Sequence, residues 1–456
     1  MIEKNLKSSI VHPDTDLQTA MSRLYEAETT MCLVSDRNHV LRGILTRSDI
    51  KQAILLGTDK KKPIGDIMNT DFISAPHTTS LSTLKKLAQK ENRLGTGSIG
   101  QIPLVNKKGV VTGLYISPDA TRREHKSVLV TGGAGYVGSQ VTRMLLKKGY
   151  HVLVFDKLLF GTSGIADILD HKRLTLIQGD VGNVGQLIKA VAKVDYVIHL
   201  AGIVGDPASA LDPIQTMEQN HFATKNLVDI SKYYGVSRFI FASSCSVYGS
   251  GKSVLTETSD RRPVSLYAQS KLYSEKEILR EVDENFHPVI LRFGTLYGLS
   301  PRMRFDLVVN VMTAHAMSTG TITVDGGAQW RPLLHVEDAA AACVAALEAP
   351  RRKVSGEIFN VGDTKENYTI RDIARLVAEN VQGAQVVELD TVQDRRDYRV
   401  SSRKINKVMG WRAKRTLSEG IAEITKAFKK KQFIEWRDSR YSNYHTLKNL
   451  LEDISA

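Results

Sequence analysis

The chain has 456 residues, 42% hydrophobic and 24% charged, with 33 Gly and 12 Pro, which excludes a fibrous, disordered or low-complexity polypeptide. At roughly 100–200 residues per domain, the length fits two or three domains, each able to bury a core. A net charge of +13 raises anionic ligands or nucleic acid as partners without choosing between them.

The N-terminus, MIEKNLKSSIVHPDTD, lacks the apolar core of a secretory signal, and no apolar run approaches the ~20 residues of a membrane span. Cys32, Cys245 and Cys343 lie too far apart for a disulfide framework or a zinc pattern, as expected in a reducing compartment. The basic run Lys429–Lys431 is too short for a nucleic-acid tract. These features predict a cytoplasmic protein with no metal, no membrane and no nucleic acid among its partners.

In chain order, an internal repeat comes first. LVSDRNHVLRGILTRSDI (33–50) aligns with PLVNKKGVVTGLYISPDA (103–120) at an offset of 70, and IVHPDTDLQTAMSRL aligns with ISAPHTTSLSTLKKL at an offset of 63. Each copy reads as a short strand, an amphipathic helix, a two-stranded hairpin and a second helix. Residues 1–120 thereby resemble a tandem pair of cystathionine-β-synthase (CBS) domains, an α+β Bateman module. That family uses Gly, two apolar residues, Ser or Thr, two more residues and Asp to hold an adenosine nucleotide's ribose and phosphate. The first copy has this signature whole, from Gly43 through Thr46 to Asp49, whereas the second keeps Gly113 and Asp119 but carries Ile116 in the hydroxyl position. The resemblance implies AMP, ADP or ATP at Thr46 and Asp49, with Asp119 marking the second copy. The same residues also describe a capped helix.

The polar stretch around 121–127 reads as a linker. Beyond it, from 128 to 445, apolar strands alternate with helical patterns, the signature of an α/β fold with a doubly wound parallel sheet. Residues 446–456 read as a C-terminal tail. SVLV, TGGAGYVGSQVTRMLLKKG and YHVLVFD give strand, glycine-rich turn, helix and strand, with Gly132, Gly135 and Gly138 spaced as G-x-x-G-x-x-G. Small residues let the backbone approach a pyrophosphate, and the helix start at Tyr136 and Val137 stabilises its charge. Asp156 ends the next strand, where a carboxylate accepts from an adenosine ribose and repels a 2′-phosphate, so NAD is expected over NADP. The strand ends at Asp180 and Val181, and at Leu200, Ala201 and Gly202, are expected to line the same crevice.

Tyr267 and Lys271 lie four residues apart, on one helical face. A neighbouring ammonium is expected to lower the phenol's pKa from its ordinary ~10, making it a usable base. Ser244 ends an upstream strand and is placed to hydrogen-bond the same substrate oxygen. With these residues in this order, the chain from Lys126 to about Asn443 resembles the extended short-chain dehydrogenase/reductase superfamily, in its NAD-dependent nucleotide-sugar epimerase/dehydratase branch. Further points of likeness are Asn220 before a helix, SSCSVYG, LRFGTLYG, QWRPLLHVEDAA and FNVGD. The resemblance implies a Rossmann-type sheet carrying NAD, with Asn220 beside the cofactor, and a small C-terminal substrate domain. It also implies a homodimer or higher homo-oligomer.

A sugar nucleotide's diphosphate calls for fixed cations and hydrogen-bonding groups. Ser246, Thr295, Arg302, Asn310, Arg331 and Arg396 are the expected substrate contacts, with Arg304 nearby in the same loop. His199, His335 and Asp338 are expected to be structural. The related 4,6-dehydratases have Asp-Glu directly after the catalytic hydroxyl residue, where this chain has Cys245 and Ser246. Dehydration is therefore disfavoured, and Cys245 reads as a packed strand residue. The expected activity is nucleotide-sugar epimerisation by transient oxidation at C4. The alternative is a one-way 4-dehydrogenase or ketoreductase using the same residues; SPRMRFDLVVN and DRRDYRVSSRKI look like a subgroup of bacterial sugar-nucleotide oxidoreductases, some of which act on GDP-linked heptoses. A Rossmann half that only senses nucleotide would leave Ser244, Tyr267 and Lys271 unexplained.

Overall fold

The computed structural model describes every residue except 1, 4, 5, 7, 27–30, 95–99, 118–125, 390–393, 395 and 456. Most of the expected linker and Asp119 fall outside the described residues. The chain divides into two compact units, one of Met1–Lys126 with the segments Lys232–Ser237 and Asp283–Asn285, the other of Ser127–Ser231, Arg238–Val282 and Phe286–Ala456.

The first unit is the α+β repeat. An antiparallel hairpin of Met31–Ser35 and Leu41–Thr46 recurs as Gln101–Val105 and Val111–Ile116, at the expected offset of 70. The preceding helices are Leu17–Glu26 and Leu81–Leu94. Their first turns are capped by Asp16, accepting from Thr19 N at 2.8 Å, and Ser80, accepting from Thr83 N at 3.3 Å. Asp16 therefore corresponds to Ser80, an offset of 64, and the upstream alignment at 63 was one residue out of register. Capping chemistry sets where each helix starts, and apolar spacing alone did not resolve it. Leu33, Ile44 and Leu114, from both copies, are among the residues of one buried cluster.

The second unit is built on a seven-stranded, wholly parallel sheet. Its strands are β1 (Ser127–Thr131), β2 (His151–Asp156), β3 (Leu174–Gln178), β4 (Tyr196–His199), β5 (Arg238–Ser244), β6 (His287–Phe293) and β7 (Glu357–Val361). The spatial order is β3-β2-β1-β4-β5-β6-β7. Strands buried on both faces need unbroken apolar runs, and SVLV, YVIH and HPVILRF supply them. The order reverses between β1 and β4, which opens a crevice at their carboxyl ends. Past β6, the short strands Thr295–Tyr297, Trp330–His335 and Asn367–Thr369 form a separate sheet, and the strands Ser250–Leu255 and Asp397–Val400 pair in parallel. These build a smaller part outside the seven-stranded sheet. The residues read as a tail instead belong to a helix, Asn443–Ser455, whose Leu447 is buried. No helix among the described residues is long and apolar enough to cross a membrane.

Candidate active site

The crevice forms a cavity of about 310 Å³. Gly132, Gly135, Tyr136, Val137, Gly138, Asp156, Asp180, Val181, Leu200, Ala201 and Gly202 all line it. So do Ser244, Tyr267 and Lys271, and the candidate substrate residues Ser246, Thr295, Arg302 and Arg396. The spacing of local motifs thus converged on one place.

The glycine-rich turn fits a dinucleotide. Gly132 has a φ of 72°, in the left-handed region. A Cβ there would come within 2.9 Å of Ala201 N, and one at Gly138 within 1.9 Å of the Gly132 carbonyl oxygen. The helix Tyr136–Lys147 starts at Gly135 with no side-chain cap, so no side chain competes with an anion at its first turn. The Asp156 carboxylate accepts from Ala134 N at 2.9 Å and Leu158 N at 2.8 Å, which braces the turn, and burial pushes its pKa up. Asp180 pairs with Lys157 at 2.9 Å.

The helix Leu266–Arg280 is capped by Ser265, which accepts from Ala268 N at 3.2 Å. Its buried face carries Lys271, Ser274, Glu275 and Ile278. Ser244 favours the charged form of the Tyr267 phenol, and the Ser246 hydroxyl donates to Ser244 Oγ at 2.8 Å. Lys271 Nζ donates to the Ala242 carbonyl at 2.9 Å and stands 6.0 Å from the Tyr267 ring centroid. The expected lowering of the tyrosine is not what the protein alone supplies. Burial, with Asp206, pushes Tyr267 up to about 12 against Ser244, Arg304 and Arg396, while burial pushes Lys271 down to about 8. In a dry site desolvation disfavours both charged forms.

Three expected contacts are corrected. Asn220, expected at the cofactor, does not line the cavity; its amide accepts from Ile203 N at 2.7 Å and donates to Ile203 O at 2.8 Å, so it fixes the loop after β4 from behind. Asn310, expected at the substrate, is fully buried. It accepts from Gly298 N at 3.0 Å and donates to Arg304 O at 2.8 Å and Tyr136 Oη at 3.2 Å. Arg331, likewise, is 3% exposed and held by Asp394 and the Arg396 carbonyl, both at 2.5 Å. Each amide or guanidinium is consumed by neighbours that the fold brings against it. Arg396 does reach the cavity, where it pairs with Asp206 at 3.1 Å.

Structural assignments made from the residues stand. His199 bridges the Thr131 and Thr224 hydroxyls at 2.7 and 2.9 Å, and burial pushes its pKa down to about 3. Cys245 is fully buried, with Sγ 3.3 Å from the Arg292 carbonyl, and burial pushes its thiol pKa up. His335 meets Glu423 at 2.8 Å, and Asp338 accepts from Lys414 and Arg415 N–H groups at 3.0 and 2.9 Å.

The sequence missed a buried pair beneath the site. Glu275 and Arg292 meet at 2.7 Å with side chains 1% and 0% exposed, and Ser243 donates to Glu275 at 2.5 Å. The available signal was Arg292 inside the apolar run HPVILRF and Glu275 one turn after Lys271. Asp206 was also missed. No group of His, Cys, Asp and Glu among the described residues suits a metal ion.

In the first unit, Thr46 and Asp49 form a capping box. Thr46 N and Oγ1 both meet Asp49 Oδ2 at 2.7 Å, and Asp49 N donates to Thr46 Oγ1 at 3.3 Å. The signature residues therefore satisfy each other at the helix start.

Comparison with known proteins places this geometry. The model of the NAD dependent epimerase/dehydratase family matches residues 128–362, and the CBS domain model matches 6–56 and 64–119. UDP-glucose 4-epimerase of Bacillus subtilis is 28% identical over 351 residues, covering 70% of this chain and 98% of the relative. The solved structure of UDP-glucuronic acid 4-epimerase from Bacillus cereus, with UDP-glucuronic acid and NAD, has a TM-score of 0.61 at 28% identity and covers 67% of this chain and 99% of its own. DesIV, a dTDP-glucose 4,6-dehydratase from Streptomyces venezuelae with NAD bound, has a TM-score of 0.61 at 26% identity and covers 67% and 98%.

Proposed function

This chain belongs to the NAD dependent epimerase/dehydratase family, and we propose that within it the protein is a nucleotide-sugar 4-epimerase. NAD is its cofactor. One observation carries the reading: Ser244, Tyr267 and Lys271 meet in one cavity, while positions 245 and 246 offer a buried thiol and a hydroxyl instead of two carboxyls. Loss of water from a sugar needs a placed acid and base, and the strand end after Ser244 lacks them. Oxidation and reduction at one carbon need only the tyrosine and its support.

When bound, NAD supplies a two-electron acceptor at the sugar and a positive charge near the phenol. Tyr267 Oη takes the C4-hydroxyl proton as that carbon is oxidised, and later returns it. Ser244 hydrogen-bonds the same oxygen and holds it in line. Lys271, anchored on Ala242 O, keeps a positive charge beside the ring that favours the phenolate. The 4-keto sugar turns over and is reduced on its other face, so the net redox change is zero. Arg396 and Thr295 contact the sugar nucleotide. Adenine nucleotide at Thr46 and Asp49, and a homo-oligomeric assembly, complete the proposal.

The test incubates the purified enzyme with UDP-glucose, UDP-glucuronic acid and GDP- or dTDP-linked sugars, with no added cofactor. Interconversion of 4-epimers is expected. Stoichiometric build-up of reduced cofactor, or dependence on an external oxidant, would replace the epimerase by a dehydrogenase; loss of water from the sugar would make it a dehydratase.

A further inference from the structure

Four arginines lie in or beside the cavity, and three are neutralised. Arg304 meets Asp306 through two nitrogens at 2.9 Å, Arg396 pairs with Asp394 and Asp206, and Arg331 pairs with Asp394. Arg302 differs. It is 3% exposed and makes no ion pair among the described residues. One nitrogen donates to Asn443 Oδ1 at 2.7 Å, its Nε has no hydrogen-bond partner, and its guanidinium carbon sits 3.8 Å from the Phe160 ring centroid. Burial, with Arg304 beside it, pushes its pKa down to about 9 against the more distant Asp306 and Asp156, neither of which forms an ion pair with it. A buried cation without a counter-ion is costly unless a ligand brings one.

Its position says which ligand. Ser300 Oγ donates to Tyr136 O at 2.7 Å and lies 3.1 Å from Ser139 Oγ, which pins the segment before Arg302 to the first turn of the glycine-turn helix. That first turn has no side-chain cap. Arg302 Cβ lies 3.2 Å from where a Cβ at Gly164 would stand, in the segment following β2. The sequence assigned Arg302 to the sugar nucleotide; its surroundings are those of the dinucleotide.

The C-terminal helix adds the second half. Asn443, which holds Arg302, donates its own N–H to Asp306 at 3.0 Å. One turn on, Leu447 packs with Ile203 and Ala208, and Leu159 and Leu211 join the cluster. Leu159 follows β2 and Ile203 follows β4, and β1, which carries the glycine-rich turn, runs between those two strands. The helix therefore reaches across the carboxyl end of β1. Asn443 and Leu447 both line the cavity.

We propose that Arg302 and the helix Asn443–Ser455 form a clasp on the diphosphate of NAD, Arg302 pairing with it and the helix keeping it from leaving. The proposal rests on the cofactor assignment above and not on which sugar reaction is run. A dinucleotide that stays bound suits chemistry that returns its electrons in every turnover.

The test measures NAD binding to the full-length protein stripped of nucleotide, by calorimetry and by release rate on dilution. Arg302→Met, which removes the guanidinium and keeps an unbranched side chain, is expected to weaken NAD and ADP alike by about 10- to 100-fold, the range for a lost charge-assisted hydrogen bond, and to leave adenosine binding unchanged. Asn443→Ala and Leu447→Ala are expected to speed NAD release at least several-fold when measured well below their unfolding temperatures, which loss of the buried side chains lowers; truncation after Ser442, where it folds, is expected to do more. Unchanged NAD affinity in Arg302→Met, or weakened UDP binding with NAD intact, would overturn the assignment. Unchanged release in both helix variants would overturn the clasp. These readouts do not depend on turnover, so they fail separately from the epimerase reading.

Discussion

Two places in this chain set a hydroxyl and a charged side chain where a ligand was expected, and they differ in how far their polar groups are already partnered. In the first unit Thr46 and Asp49 turn on each other and close a capping box. In the second, Ser244 and Tyr267 line one cavity from a strand and a helix, and that cavity also holds Lys271 and Arg302, neither in an ion pair with a carboxylate among the described residues. Partnering separates the two cases. A polar pair that satisfies itself stabilises a helix, whereas a buried cation left without a counter-ion marks a site whose partner comes from outside.

The sharpest way to break this comparison is Tyr267→Phe. General-base catalysis is worth roughly 10²- to 10⁴-fold, and a loss of that size is expected in steady-state rate, with NAD binding and thermal unfolding unchanged. Retained activity would show that the open site is not the reacting one.

Next in size is a closed pair inside the same unit. Breaking Glu275–Arg292 by Glu275→Gln leaves a buried guanidinium unpaired and is expected to cost about 3–5 kcal/mol in urea unfolding. Adding Arg292→Met to that variant is expected to recover part of the loss. A loss in the single variant below ~1 kcal/mol would mean that water reaches the pair.

His199 sharpens the comparison through pH. Its folded pKa of about 3 lies below the ordinary 6.5. Between those values the unfolded chain binds a proton that the folded one does not, so stability falls as pH drops through that window. The slope is at most about 1.4 kcal/mol per pH unit. His199→Asn is expected to be less stable at neutral pH and to show a shallower acid limb; an unchanged limb would mean the imidazole is charged in the folded protein.

The smallest expected effect is Thr46→Ala. Losing the cap should cost about 1 kcal/mol in the first unit. If the capping box also holds an adenine nucleotide, AMP, ADP or ATP will raise the melting temperature of the wild-type protein and not that of the variant. An equal rise in both would place any nucleotide elsewhere.

Much of this was legible in the amino-acid order because it is local. Alternating apolar runs set the parallel strands, the glycine spacing set the turn, and a four-residue interval put Tyr267 and Lys271 on one face of a helix. Cys245 and Ser246 after Ser244 argued against dehydration before any fold was known. The tertiary structure decided which polar groups remain free. Arg302, Arg304, Arg331 and Arg396 look alike as loop arginines, and their partners tell them apart: Asp306 and Asp394 stand two residues from Arg304 and Arg396, while Asp394, Asp206 and Asn443 come from elsewhere in the chain to Arg331, Arg396 and Arg302. Asn220 and Asn310 became braces for the same reason. Periodicity records which way a side chain faces; which loop arginine keeps a carboxylate and which is left with an amide depends on how the chain folds back on itself, from two residues away at Asp306 to 141 at Asn443.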